Sequence, residues 1–178
     1  VLRPHIPKNI SYSSLDVEGN PDYKIDLNSQ KIPVADKTFD ILVCLGTLEH
    51  LFYPKEVLRE FRRVVKDDGL FILTIPNEYN FWLRANYFFA RKLEGTDEPF
   101  EVVTKRQHIH LTRVKDALSL FSQHFKVKKI IYSWQSRRAT QKVFYYYLDF
   151  VIGFLAKIFH GLFTRNVIMI GNKKEWDR

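Results

Sequence analysis

The first half of the chain alternates short apolar runs with one helical pattern. Residues 39–45 (FDILVCL) and 70–75 (LFILTI) are almost continuously apolar, which predicts parallel strands buried on both faces. Between them, Pro54 opens a stretch with an apolar stripe on one side and charged residues on the other, typical of a helix packed on a sheet. Asp67-Asp68-Gly69 is expected to end this helix. Strand, helix and strand in this order form a βαβ unit, so the predicted fold class is α/β.

Further elements flank this unit on both sides. Strands are predicted at 11–17 and 23–26, separated by the turn Gly19-Asn20-Pro21. The later part of the chain adds two amphipathic helices and two strands, predicted at 81–92, 114–124, 126–132 and 166–173. Because no repeat or second domain is evident, residues 1–178 are treated as one domain. Within it, 79–112 and 134–165 are expected to be insertions on the substrate side or close to a membrane.

Composition and charge narrow the class of protein. The 178 residues are 46% hydrophobic and 27% charged, a balance that excludes a disordered or low-complexity chain. A single cysteine, Cys44, excludes an internal disulfide and a Cys-rich zinc module, which favours a cytoplasmic location. The net charge of +8 indicates attraction to an acidic partner, such as an anionic membrane surface. Nucleic acid is a disfavoured partner because no recognised binding motif accompanies the charge.

Acidic residues recur where predicted strands end. Asp16, Asp26 and Glu49 occupy such positions, and open α/β sheets bind ligands beyond the carboxyl ends of their strands. A carboxylate such as Asp16 suits the paired hydroxyls of a ribose, and Asp26 could accept from an adenine amino group. The alternative interpretation is that aspartates at strand ends cap turns. Taken one at a time, these acids favour that structural role.

A series of short segments keeps a fixed order between residues 15 and 77. The segments are 15–18 (LDVE), 26–27 (DL), 32–33 (IP), 39–44 (FDILVC), 48–51 (LEHL), 58–60 (LRE), 63–66 (RVVK), 69–70 (GL) and 75–77 (IPN). This series resembles class I S-adenosylmethionine-dependent methyltransferases, above all the group related to ubiquinone and menaquinone methyltransferases. A looser likeness continues through 108–112 and the last strand. The resemblance implies a three-layer, Rossmann-like fold and S-adenosylmethionine as the cofactor.

The resemblance also implies roles for particular residues. Those expected to bind the cofactor, with Asp16 at the ribose, are Asp16, Asp26, Leu27, Cys44 and Leu45. Those expected on the substrate side are Asn77, His108 and His110. Glu49 and His50 are the candidate catalytic residues, because an acceptor hydroxyl needs a base and histidine is the side chain whose intrinsic chemistry best suits a base near neutral pH. The alternative is that Glu49-His50 begins a helix and is held by local hydrogen bonds.

Two departures from the family pattern lead to further expectations. No glycine-rich loop precedes Asp16, so the chain is expected to begin part-way into a longer protein and to lack the family's first strand. That strand would lie between those ending at Asp16 and Leu45, and activity is not expected of the chain as given. Related quinone methyltransferases carry a further acid where this chain has Gly46. No metal site is therefore predicted, and ordinary polar roles are favoured for His108 and His110.

Residues 143–163 (VFYYYLDFVIGFLAKIFHGLF) form the most apolar segment. Asp149 and Lys157 argue against a membrane span, because charge is costly at membrane depth. One interpretation is a helix in the membrane interface with basic residues near lipid headgroups, namely Arg137, Arg138, Lys142 and Arg165. The other is a cover for the substrate pocket or a subunit interface.

The predicted function is methyl transfer to an unidentified acceptor, either a small molecule or a lipid-like or glycan compound. The alternative is a non-catalytic interaction or membrane-associated protein that retains the fold.

Overall fold

The computed structural model describes residues 5–89, 108–134 and 143–174. The strands are β1 (Leu15–Asp16), β2 (Tyr23–Lys24), β3 (Phe39–Leu45), β4 (Val65–Pro76), β5 (Phe125–Ser133) and β6 (Asn166–Lys173). The helices are α1 (Pro54–Val64), α2 (Phe81–Phe88), α3 (Val114–Ser122), α4 (Val143–Ile158) and α5 (His160–Phe163), with a 3-10 turn at Leu48–His50. Much of the two predicted insertions, together with Arg137, Arg138 and Lys142, lies outside the described residues.

The strands form two separate sheets in the described part of the chain. The larger sheet has the order β3-β4-β6-β5, in which β3 and β4 are parallel while β6 is antiparallel to both of its neighbours. The smaller sheet consists of β1 and β2 in parallel. The predicted α/β class is confirmed, and β3 is an edge strand of the larger sheet.

Several predicted boundaries are wrong. β1 and β2 span two residues each, whereas the sequence predicted strands over 11–17 and 23–26. The strand predicted to begin at 70 begins at Val65, directly after α1, because fully buried Val65 already pairs with Phe39. The pairing register between β3 and β4 then shifts. A Cβ on Gly69 would lie only 2.9 Å from the Asp40 carbonyl oxygen, so glycine permits a close approach of β4 to β3 here. Asp67-Asp68-Gly69, which was expected to end the helix, therefore lies within β4. The predicted continuous helix 143–163 is broken at Phe159, whose backbone (φ −116°, ψ 64°) leaves the helical region.

One face of the larger sheet is packed on α1 and α3. Its centre is a cluster of phenylalanine rings with centroids 4.4–5.6 Å apart, formed by Phe61, Phe71, Phe121 and Phe125. Phe71 and Phe121 are fully buried. The apolar stripe of α1 contributes Val57, Leu58 and Val64 to the same core. This face holds β4 in place, and the site described below lies at the carboxyl end of β4.

The opposite face is open along β3, which corrects the expectation that 39–45 is buried on both sides. Ile41, Val43 and Leu45 point away from the core and are 41–56% exposed. Their alternating neighbour Cys44 is buried in the core. The difference arises because no element in the described ranges packs over these three side chains.

Candidate functional site at the carboxyl ends of β3 and β4

An extended segment, residues 108–112, joins the loops that follow β3 and β4. Its Ile109 N–H donates to the Glu49 carbonyl oxygen (3.0 Å), and its Thr112 carbonyl accepts from the Glu78 N–H (2.9 Å). The Thr112 hydroxyl also donates to the carbonyl oxygen of Pro76, the last residue of β4 (2.7 Å). These backbone and side-chain bonds bring three stretches of sequence together at one edge of the sheet.

Four ionisable side chains meet where these stretches join. The Glu49 Oε1 atom lies 4.0 Å from His50 Nε2, and the rings of His50 and His108 contact each other edge to face with centroids 4.7 Å apart. The His108 Nδ1 atom lies 2.8 Å from Glu78 Oε1. Because an ionised carboxylate only accepts hydrogen bonds, Nδ1 of His108 carries the proton, and the lone pair of its neutral form is on Nε2.

Glu49 is the most buried member of this group, with 3% of its surface exposed. Its Oε2 atom has no hydrogen-bond partner among the described residues. Burial raises the pKa of the Glu49 carboxyl above its usual range, opposed by a bond to its own backbone amide and by the neighbouring histidines. An incompletely satisfied carboxylate in this position costs stability, which is typical of a functional site.

The loop between β3 and the 3-10 turn requires glycine at position 46. Gly46 has a φ of +60°, a conformation that side-chain-bearing residues rarely adopt. A Cβ at this position would lie 3.5 Å from Glu49 Oε1. The tight turn therefore brings the chain from the end of β3 directly to the buried carboxylate.

Asn77 and His110, both expected on the substrate side, have well-defined structural contacts. The fully buried Asn77 amide donates to the carbonyl oxygens of Gly161 (3.0 Å) and Thr164 (2.8 Å), which ties α5 to the end of β4. His110 Nε2 donates to the Leu51 carbonyl oxygen (2.7 Å). Both side chains thus hold loops of the site together, whereas His108 belongs to the ionisable cluster itself.

The acids expected to bind the cofactor shape turns at the ends of β1 and β2. Asp16 Oδ1 accepts from the backbone amides of Val17 (2.7 Å) and Glu18 (3.2 Å). Asp16 is exposed, and its Oδ2 has no hydrogen-bond partner in the described part of the chain. Asp26 Oδ1 accepts from the Asn28 amide (2.8 Å). Both acids therefore make the turn contacts that the structural alternative expected.

The remaining predicted cofactor residues differ in accessibility. Leu27 is half-buried and packs against the core. The Cys44 side chain lies in the core, where burial raises the pKa of its thiol to about 12, so that it is an unreactive neutral group. Leu45 is exposed on the open face of β3. A ligand passing the end of β3 would meet the backbone of 44–45 and the Leu45 side chain rather than the thiol.

Glu78 is the member of the cluster that the sequence analysis missed. It follows Asn77 directly after β4, so its place behind a strand end was a usable signal. Its bond to His108 spans 30 residues of sequence and depends on the docking of 108–112.

Comparisons with known proteins agree with this architecture. Residues 7–73 match the family model for the methyltransferase domain. An uncharacterised protein of Methanocaldococcus jannaschii, MJ1252, is 32% identical over 139 residues, or 76% of this chain and 51% of the relative. A second one from this organism, MJ0638, is 40% identical over 55 residues, or 31% of this chain and 24% of the relative. The chain thus spans about half the length of the first relative.

The fold is shared with a solved SAM-dependent methyltransferase of Thermotoga maritima, TM1293. The TM-score is 0.52 at 13% identity, over 81% of this chain and 60% of that one. At this identity the likeness concerns the fold. The domain match over residues 7–73 and the shared fold agree with the resemblance of this chain to class I S-adenosylmethionine-dependent methyltransferases, and the cofactor that this similarity implies is S-adenosylmethionine.

Proposed function

We propose that the protein transfers a methyl group from S-adenosylmethionine to an acceptor bound at the carboxyl ends of β3 and β4. The observation that carries the proposal is the buried Glu49 carboxylate beside His50 and His108. Glu49 and His50 lie within the segment 7–73 that matches the family model. Ligands of open α/β sheets bind at this edge. The two insertions, 79–112 and 134–165, would supply the acceptor side, since 108–112 already reaches the cluster.

When bound, the cofactor supplies an electrophilic methyl group on its sulfonium. Asp16 would accept hydrogen bonds from the ribose through its open Oδ2, while its Oδ1 is held by two backbone amides. Asp26 and Leu27 would flank the adenine, and the backbone of 44–45 would pass the methionine portion. Much of the rate enhancement would come from alignment of the acceptor with the methyl group.

The acceptor's proton would go to the ionisable cluster. His50 is partly exposed, so its imidazole is reachable from solvent and from an acceptor. The adjacent Glu49 carboxylate, when ionised, stabilises a protonated His50 electrostatically. Glu78 orients His108, which packs against the His50 ring and limits its movement.

The cofactor part of the proposal is tested by replacing Asp16 with alanine in the full-length protein. Loss of a carboxylate that binds two hydroxyls is expected to weaken S-adenosylmethionine binding about 10–100-fold, since hydrogen bonds to charged groups contribute about 1.5–3 kcal/mol. Calorimetric titration with the cofactor and its demethylated product measures the effect. The matched control is Asp68→Ala, which removes an exposed acid from β4. Equal affinities of the variant and the control contradict the assignment, and a full-length protein that binds neither compound supports the non-catalytic alternative.

A lipid-like acceptor, reached from an anionic membrane surface, is the candidate substrate class that the exposed aromatic residues favour. Large apolar side chains are exposed on α2 and α4, notably Phe88, Phe150 and Phe154. No helix in the described ranges is long and apolar enough to cross a membrane. Exposed apolar surface on a protein with a net charge of +8 is the combination that interfacial binding requires.

Vesicle binding tests this interface. The double variant Phe150→Ser/Phe154→Ser is expected to reduce co-sedimentation with anionic phosphatidylserine-containing vesicles about tenfold or more, because two exposed rings lose their contact with the lipid. Ile10→Ser, which replaces an exposed apolar residue near the start of the described chain, is the control. Binding that is absent at low salt, or that the double variant leaves unchanged, counts against a membrane surface.

A further inference from the structure

We propose that Glu49, His50 and His108 form a binding site for a divalent first-row metal ion of the Zn²⁺ type. One potential ligand atom from each of the three residues lies within 4.8 Å of those of the other two. Ligand atoms around a tetrahedral ion with bonds of about 2.0–2.1 Å are about 3.4 Å apart, so side-chain adjustments of about an ångström would close the site. The sequence analysis predicted no metal site, because Gly46 replaces the further acid of related quinone methyltransferases and because His108 is distant from Glu49 along the chain.

The buried carboxylate provides an independent observation that points to a ligand. Glu49 is 3% exposed, and its Oε2 has no hydrogen-bond partner within the described ranges. Buried ionised carboxylates are normally paired, hydrogen-bonded or bound to a metal. A cation bound between Glu49 and the two imidazoles would compensate the charge of this buried carboxylate. The oxygen nearest His50 is Oε1, and binding through both carboxylate oxygens would also satisfy Oε2.

His108 is already oriented as metal-binding histidines usually are. Its Nδ1–H donates to Glu78 Oε1 at 2.8 Å, which leaves the Nε2 lone pair for a ligand bond. A carboxylate behind the imidazole fixes the ring and raises its basicity, and metal sites use this arrangement repeatedly. The Ile109 N–H bond to the Glu49 carbonyl holds the segment of His108 against the Glu49 loop. The donors are therefore prearranged by the fold.

The donor set favours transition metals over hard cations. Two imidazoles and one carboxylate suit Zn²⁺, Co²⁺ or Mn²⁺, whereas Mg²⁺ and Ca²⁺ prefer oxygen ligands alone. Three protein ligands leave at least one coordination position for water or an acceptor oxygen, and His50 and His108 are both partly exposed. With the ion bound, His50 is a ligand rather than a base, and the metal would lower the pKa of a bound hydroxyl.

This inference uses the side chains of the proposed catalytic cluster but does not depend on methyl transfer. The experiment is a calorimetric titration of the metal-free full-length protein with Zn²⁺, without cofactor or acceptor. We expect one equivalent to bind, and His108→Asn and Glu49→Gln each to weaken the affinity at least 100-fold. Glu78→Gln keeps all three ligands and is expected to weaken binding about 10–100-fold, the usual effect of losing the residue behind a metal-bound histidine.

Two controls keep the result interpretable. His5→Gln removes an exposed histidine outside the cluster and should leave Zn²⁺ affinity unchanged. Co²⁺ bound to the wild-type protein should give visible absorption bands that disappear in His108→Asn, and circular dichroism shows whether each variant is folded. Absence of stoichiometric Zn²⁺ binding, or binding that persists at full affinity in folded Glu49→Gln and Glu78→Gln, overturns the metal site while leaving the proposed methyl transfer to be judged by the cofactor titration.

Discussion

Replacing Glu49 with glutamine is expected to lower the rate of methyl transfer about 100-fold, because proton transfer to His50 contributes about 10²–10⁴-fold and depends on the Glu49 charge that stabilises the protonated imidazole. Glutamine keeps the shape of the side chain but removes the charge that stabilises a protonated His50 or a bound cation. The measurement is a single-turnover rate with the full-length protein and saturating labelled cofactor, scored on a panel of hydroxylated and lipid-like acceptors.

The same substitution is expected to leave the metal-free protein as stable as the wild type, or more stable. Glu49 is buried with one oxygen unsatisfied, and a neutral amide is cheaper to bury than a carboxylate whose pKa is already raised. A gain of about 1 kcal/mol would raise Tm by about 2–4 °C in a domain of this size. Glu56→Gln on the exposed face of α1 is the control for both measurements. Full activity in Glu49→Gln would show that the Glu49 carboxylate takes no part in methyl transfer.

The elements that local patterns specify were predicted well. Residues 39–45 and 166–173 were predicted as strands with the bounds that the structure has. The first turn of α1 was marked by Pro54, and its apolar stripe identified the residues that enter the core. These features depend on side-chain periodicity within one element, which a sequence displays directly.

Features that depend on distant partners were not predictable in the same way. The start of β4 at Val65 is decided by pairing with Phe39, against the local signal of Asp67-Asp68-Gly69. The exposure of Ile41, Val43 and Leu45 likewise depends on what covers the sheet. An apolar run shows that a strand can be buried on both faces, but not that another element packs over each face.

The site shows the same division between local and distant information. Asp16 and Glu49 were predicted as site residues because they lie at or after strand ends, where ligands of open sheets bind, whereas His50 was predicted from the family resemblance. Asp26 and Asp16 also make the turn contacts that the structural alternative anticipated. The pairing of His108 with Glu78 follows from tertiary hydrogen bonds of 108–112, for which no periodic pattern exists in the sequence.

Truncation of Phe71 to alanine is expected to destabilise the fold by about 3–5 kcal/mol, the usual cost of removing a fully buried phenylalanine. Its ring contacts Phe61, Phe121 and Phe125, so the cavity would open between α1, α3 and the sheet. Few neighbours can move to fill it, because the surrounding rings are themselves packed. Urea-induced unfolding followed by circular dichroism measures the loss, which corresponds to a fall in Tm of roughly 10 °C.

Phe88→Ala is the matched control, because this ring is 83% exposed and its removal should change stability by less than about 0.5 kcal/mol. Phe71 lies on β4, whose carboxyl end carries Asn77 and Glu78, so the loss of packing should also loosen the bond between Glu78 and His108. Faster hydrogen exchange at the Glu78 and Ile109 amides in Phe71→Ala would report this coupling. A loss of unfolding free energy below about 1 kcal/mol in Phe71→Ala would mean that the phenylalanine cluster does not stabilise the sheet. The position of β4 would then depend on its antiparallel pairing with β6.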